Sequence, residues 1–308
     1  MAASPTPEQL EYIHGNTTER SADGIRKLIL EEWMLILTGL ISLVGLVGNS
    51  LVLWLLGFCM KRNPFSVYVL NLAMADALYL CGILVSITSL FTEAFDAFIM
   101  SLTLFFLKYT LYTVGLSLLA AISTERCLSV LFPIWYRCHQ PKHMSTVVCT
   151  ILWALTFLLW GTLFVICLNV FNDFCYPLIL VTFAWFLFFI PVMCVSSLAL
   201  LLRVQCTSQR QQPPRLYLLV LLNVLVFLLC GVPMGILDFL QIHINIPIPF
   251  GVSLLLACMN SSANPFIYFF LGRQKHKRRR ESLKMILQRA LEDKWDLGTG
   301  AQVREPLK

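Results

Sequence analysis

Seven apolar stretches, each long enough to cross a bilayer as a helix, predict an all-helical membrane protein: a seven-transmembrane bundle with a short amphipathic cytoplasmic helix after the last span. Two further observations point the same way. Of 308 residues, 58% are hydrophobic and 13% charged, against about a quarter charged in a soluble domain, and mean hydropathy is +0.76. The Lys and Arg residues between spans are also confined to alternate connections.

Residues 1–32 are polar and charged throughout, with no short apolar core followed by small residues, so the first span is expected to target the chain itself. The bundle then occupies residues 33–271. Its apolar stretches run from Trp33 to Phe58, Phe65 to Phe91, Phe98 to Leu131, Met144 to Leu168, Tyr176 to Leu202, Leu216 to Ile242 and Pro249 to Leu271. Each run is continuous rather than alternating, as a helix requires and a barrel strand does not. The connections are too short to house a catalytic domain. Residues 272–308 form the tail, where Leu283, Ile286, Leu287 and Leu291 recur at helical spacing opposite a basic face. Such a helix suits the anionic inner leaflet; a disordered basic tail is the alternative.

One set of connections carries Lys61 and Arg62, then Arg137 and Lys142, then Arg203, Arg210 and Arg215, and the tail opens with Arg273, Lys275, Lys277, Arg278, Arg279 and Arg280. The opposite set, around Glu93 to Asp96, Asn169 to Cys175 and His243 to Pro247, has no Lys or Arg. The positive-inside rule places the first set in the cytoplasm, so the amino terminus is expected outside a plasma-membrane protein. Asn16-Thr17-Thr18 is a glycosylation acceptor triplet on that side. The formal charge of +6 reflects this asymmetry rather than a nucleic-acid partner.

A charge at membrane depth costs at least about 2.5 kcal/mol on insertion scales, so intramembrane ionisable groups are functional candidates. Asp76, Lys108 and Asp238 lie deep in spans, and Glu125 and Arg126 sit at the cytoplasmic end of the third. Lys108 and Arg126 are separated by about five full helical turns, roughly 27 Å, on one face of one helix. That face must turn inward, with Lys108 under an outer cavity and Arg126 at the cytoplasmic mouth. Lys108 could instead serve only to pair with Asp238 or snorkel to the surface. No catalytic chemistry is visible: the five His residues are scattered over both sides, and neither a phosphate-binding glycine loop nor paired metal-ligand spacing occurs.

In order along the spans stand Gly48-Asn49, Asn71-Leu72-Ala73-Met74-Ala75-Asp76, Glu125-Arg126-Cys127, Trp153, Pro191, Phe227 through Pro233, and Asn264-Pro265-Phe266-Ile267-Tyr268. Together they resemble the rhodopsin-like (class A) G-protein-coupled receptors across essentially the whole chain. A narrower resemblance, to the Mas-related receptors, rests on Ile122 to Leu131, Pro133-Ile134-Trp135-Tyr136, Leu228-Leu229-Cys230-Gly231 and Asn260-Ser261-Ser262-Ala263-Asn264-Pro265.

The resemblance implies a receptor in which an outside ligand shifts helix packing and a heterotrimeric G protein binds near Arg126, with Glu125, Gly231, Pro233, Asn264, Pro265 and Tyr268 forming the coupling and switch set. Gly231 stands where most of the superfamily has Trp, and residues 209–218 contain no acid to pair with Arg126. Cys167 and Cys175 match the Mas-related link between the fourth and fifth spans, with two free thiols as the alternative. Asn49, Asp76, Asn260, Ser261 and Asn264 match the inner polar network. In many relatives most of that network binds sodium; Gly115 here replaces a usual serine ligand, leaving a water-filled network as the other reading. No further cofactor is expected.

Acids that read cationic peptides in related receptors correspond here to Leu163 and Ile179. Lys108, with Asp238, Tyr112 and Phe239, therefore points to a small or amphipathic ligand bearing an anionic or zwitterionic group. Tyr109, Phe183 and Trp185 could add aromatic surface or face lipid. Two rivals remain: a secondary transporter, for which neither internal repeats nor interrupted helix pairs are visible, and a receptor-like subunit that modulates a dimer partner without signalling.

Overall fold

The structure, a computed structural model, describes residues 7–60, 63–92, 97–132, 134, 136, 138, 141, 143–169, 175–207, 215–244, 250–273 and 282–291. Every regular element among them is helical: α1 (Pro7–Trp54), α2 (Pro64–Thr92), α3 (Ala97–Leu131), α4 (Met144–Asn169), α5 (Cys175–Thr207), α6 (Arg215–Val226), α7 (Val232–Ile244), α8 (Phe250–Gly272) and α9 (Leu283–Leu291). Two π-helical turns join them, Leu55–Cys59 after α1 and Phe227–Gly231 between α6 and α7, so the sixth span is one rod with a wide turn in it.

Seven helical rods are long and apolar enough to cross a membrane: Ile29–Cys59, Pro64–Ser89, Leu102–Leu131, Met144–Ile166, Ala184–Leu202, Tyr217–Asp238 and Gly251–Gly272. They match the seven stretches expected from sequence. The fifth starts later than Tyr176 because the side chains of residues 175–183 lie outside the described set. The boundary at residue 32 is one of composition, since α1 is helical from Pro7 straight into the first span.

Several ends are written locally in the sequence. Asn63 caps α2, its Oδ1 accepting the Ser66 amide at 2.6 Å while the Ser66 hydroxyl accepts the Asn63 amide at 2.8 Å. This reciprocal pair is a capping box, and Pro64 takes the first helical position, where its missing N–H costs nothing. Pro191 and Pro265 lie inside α5 and α8, where each lacks the N–H of one backbone bond.

The third span is the central rod, with 72% of its apolar window buried inside the molecule, against 22% for the fourth. It packs against α2, α4, α5 and α6. Three of its hydroxyls are satisfied within the helix: Thr110, Thr113 and Ser117 each donate to the carbonyl four residues earlier, at 2.7, 2.7 and 2.8 Å. Large apolar side chains such as Val47, Phe58, Leu158, Phe188 and Phe270 point outward, as lipid-facing surfaces do and water-facing ones rarely do.

The tail helix departs from expectation. Leu283 is exposed, but Ile286, Leu287 and Leu291 are buried together with Ala290, and α9 packs on α8 and α6. The apolar face expected to meet the inner leaflet is spent on the chain's own bundle.

Candidate functional site

A column of buried polar groups runs down the middle of the bundle. At one end of it Lys108 of α3 and Asp238 of α7 meet, Nζ to Oδ2 at 3.7 Å, with side chains 11% and 9% exposed. Tyr109 donates its hydroxyl to the same carboxylate oxygen at 2.5 Å. Each member of this cluster is held by its neighbours. The Tyr109 ring stacks on Trp160 at 5.4 Å, and the Trp160 indole N–H donates to Thr113 at 3.1 Å.

The charge-based expectation thus finds Lys108 and Asp238 together. It missed the hydroxyl of Tyr109, counted only as aromatic surface, and it missed Trp160 altogether. Trp185 is neither loose nor lipid-directed at its polar end, since its N–H donates to Ser117 at 3.2 Å. Leu163 packs with Phe106 and Trp160 in a small apolar cluster. The side chains of Phe183, Phe239 and Ile179 lie outside the described residues.

Below this cluster, Tyr112 fills the space that a sixth-span Trp would use. Its ring stacks on Phe186 at 5.4 Å and lies 6.5 Å from Phe227. A Cβ built on Gly231 would come within 2.7 Å of the Tyr112 oxygen and 2.6 Å of the Phe227 ring. Glycine at 231 is therefore a packing requirement and not an open slot.

Deeper still, Asn264 donates to Asp76 Oδ2 at 2.7 Å, and Ser261 is a second polar neighbour of that carboxylate. Asn49 ties α1 to α8 through the Ser261 carbonyl at 3.1 Å and to its own helix through Gly45 at 3.0 Å. Asn260 is buried alongside. A Cβ at Gly115 would stand 3.9 Å from Asp76, so the missing serine hydroxyl would have pointed at the carboxylate. With that oxygen gone and one carboxylate oxygen already taken by an amide donor, the residues present are a poor set for sodium, which needs several oxygens. Asn71 and Trp153, two more motif residues, meet across α2 and α4 at 3.1 Å.

At the opposite end of the bundle from Lys108 the Arg126 guanidinium lies over the Phe65 ring, 4.3 Å from its centre. Glu125 accepts the Tyr136 hydroxyl at 2.6 Å. Both charged side chains are buried. Tyr136 carried no sequence signal for this role beyond its place in the Pro133–Tyr136 motif, and Phe65 stood out only as the start of the second span. Tyr268 and Pro265 stand on α8, with Tyr268 buried. Pro233 follows the π turn in α7. Residues 208–214, part of the acid-free stretch before the sixth span, lie outside the described set. So do the side chains of Cys167, Cys175 and Asn16.

The chain matches the family described as 7 transmembrane receptor (rhodopsin family) across residues 48–268. It is 50% identical over 266 residues to Mas-related G-protein coupled receptor member X2 of Macaca mulatta, covering 82% of this chain and 81% of that protein. The chain belongs to the Mas-related receptors of the rhodopsin family. Member X1 of Homo sapiens is 47% identical over 275 residues, covering 86% of this chain and 85% of its own length. Member X2 of Homo sapiens is 48% identical over 272 residues, covering 82% and 81%.

The protein is accordingly a cell-surface G-protein-coupled receptor and a multi-pass plasma-membrane protein, and the transporter reading finds no support. Among the motif residues that carried the resemblance, the polar ones Asn49, Asp76, Arg126, Asn264 and Tyr268 are all buried, while Met74, Ile134, Leu229 and Phe266 are exposed.

Proposed function

We propose that this Mas-related receptor takes a small or amphipathic ligand bearing a zwitterionic or anionic group, and passes the signal down the polar column to a heterotrimeric G protein at Arg126. The observation that carries the ligand class is the Lys108–Asp238 pair. A buried pair is costly to break one-sidedly, because the abandoned charge stays unpaired. A zwitterion avoids that cost, giving its carboxylate to Lys108 and its ammonium to Asp238. A polybasic peptide would gain only Asp238 and would bring more positive charge up against Lys108. The cluster at Leu163 offers a cation no carboxylate, only aromatic and aliphatic surface.

Tyr109 links this outer exchange to the frame, since its hydroxyl holds Asp238 while its ring leans on Trp160. Loss of the Asp238 bond frees α7 from α3, directly above the packed contact of Gly231 with Tyr112 and Phe227. Tyr112 is thereby the inward end of the ligand site, and Phe239 stays a candidate from its sequence position next to Asp238 alone. The inner network of Asn49, Asp76, Asn260, Ser261 and Asn264 then sets which packing of α8 is favoured, as a two-state element requires.

The topology that suits this reading has the amino terminus outside with Asn16 glycosylated, Cys167 and Cys175 bridged across the short outer loop, and the basic tail inside among anionic lipids. The test uses agonist responses of transfected cells at matched surface expression. Lys108→Gln should lower the potency of a zwitterionic or anionic agonist at least tenfold, and that of its uncharged analogue much less. Equal losses for the two compounds would reduce Lys108 to a structural role, and a polybasic agonist dependent on Asp238 would overturn the ligand class.

A further inference from the structure

We infer that α9 is a built-in plug: it lies across the cytoplasmic mouth of the bundle and must leave before a G protein can dock there. The inference rests on the receptor reading above, and it concerns a segment to which that reading gives no inhibitory role. In α9 the residues Ile286, Leu287, Ala290 and Leu291 form one face, and all four are buried, Leu287 and Ala290 completely. Leu283, Lys284, Met285 and Gln288 face away. Leu287, Ala290 and Leu291 belong to the same apolar cluster as Phe65, Leu219, Val220 and Tyr268, so the helix is part of the bundle's core and does not hang beside it.

Its anchors identify which part of the bundle it covers. The Asn63 side chain, at the turn before α2, donates to the Leu291 carbonyl at 3.3 Å. Arg289 reaches the Gly272 carbonyl at the end of α8 at 3.2 Å, and a Cβ on Gly272 would collide with the Ile286 backbone. The third contact is with α6, which opens the sixth span. The start of α2, the end of α8 and the start of the sixth span are all cytoplasmic ends. A helix touching all three crosses the mouth instead of running outward along the membrane. Phe65, two residues beyond Asn63, is the ring over which Arg126 lies, so the plug sits next to the residue that has to become available.

The occupant is thus a segment of this chain: an amphipathic helix with its apolar face inserted where a partner's amphipathic helix would insert. Two binders of one groove exclude each other. The helix is nine residues long and its bonds to Asn63 and Gly272 both lie in its last turn, a short element for a contact that has to open and close.

The test is made on the full-length receptor in lipid nanodiscs with purified G protein. Asn63→Cys and Leu291→Cys are combined, each single replacement serving as control for the native thiols, and the pair is oxidised. The expected result is an intramolecular disulfide that lowers nucleotide exchange at least fivefold, reversed by dithiothreitol. Leu287→Asp should act oppositely and raise agonist-independent exchange severalfold, and the milder Arg289→Ala should do so to a smaller degree with folding intact. Failure of the pair to cross-link, or a cross-linked receptor that exchanges as fast as the reduced one, would overturn the inference. If the cross-link forms but no form of the receptor drives exchange, the receptor reading itself fails, and the plug loses its function with it.

Discussion

Arg126→Ala should abolish nucleotide exchange on the G protein while leaving the receptor at the cell surface in near-normal amount. Arg126 is 5% exposed and its guanidinium is stacked 4.3 Å above the centre of the Phe65 ring. A cation over an aromatic face contributes on the order of 1–2 kcal/mol when partly desolvated, a modest loss for a bundle of seven packed rods. Signalling depends on the same side chain differently. Once the mouth opens, the guanidinium is the strong donor set next to the transducer, and no other residue of the span can replace a planar five-donor group. Arg126→Lys should therefore rescue little of the exchange although it keeps the charge. Normal signalling by Arg126→Ala at matched surface levels would remove this residue from the coupling machinery.

Gly231→Trp, which restores the side chain most rhodopsin-like receptors carry, should eliminate surface expression rather than improve signalling. The first added carbon already falls 2.6 Å from the Phe227 ring and 2.7 Å from the Tyr112 oxygen, and those two side chains are 0% and 4% exposed with nowhere to move. Even Gly231→Ala asks a filled core to take in one methyl group, a change that costs about 1–3 kcal/mol. A thermal-shift series on solubilised receptor should rank wild type above Gly231→Ala, with Gly231→Trp recovered only as immature protein. Adding Tyr112→Phe to Gly231→Ala should return part of the loss, because it removes one of the two colliding groups. A Gly231→Trp receptor of wild-type stability would mean that Tyr112 does not fill this space.

The spans were legible because hydrocarbon imposes one rule on the whole length of a helix, and a run from Met144 into the 160s has few other uses. Charge at depth was legible for the same reason: Lys108 and Asp238 could not both face lipid, and they meet at 3.7 Å. The Asn63-Pro64-Phe65-Ser66 cap is local chemistry written in four consecutive residues, yet the sequence reading passed over it. Aromatic residues were harder. In a water-soluble helix a buried Trp stands out against a polar face, but in a membrane both faces are apolar. Nothing in the periodicity of α4 separates Trp160, which stacks on Tyr109 and bonds Thr113, from Phe157, which is half exposed. Tyr109 was undervalued for a related reason: its ring announces packing, while its effect on Asp238 comes from one oxygen. For α9 the pattern of Leu283 to Leu291 said that one face must be covered but not by what, because lipid and protein core satisfy leucine equally well. Only its placement against Asn63 and Gly272 decides between them.

The most direct test of the receptor account is guanine-nucleotide exchange by the purified full-length protein, reconstituted in vesicles and presented in turn with each class of heterotrimeric G protein and a panel of zwitterionic amphiphiles. The account predicts exchange above that of empty vesicles with at least one G protein, raised further by at least one zwitterion and lost in Arg126→Ala. Exchange indistinguishable from empty vesicles for every combination, by protein shown to be folded, would contradict it and would favour a subunit that modulates a partner without signalling.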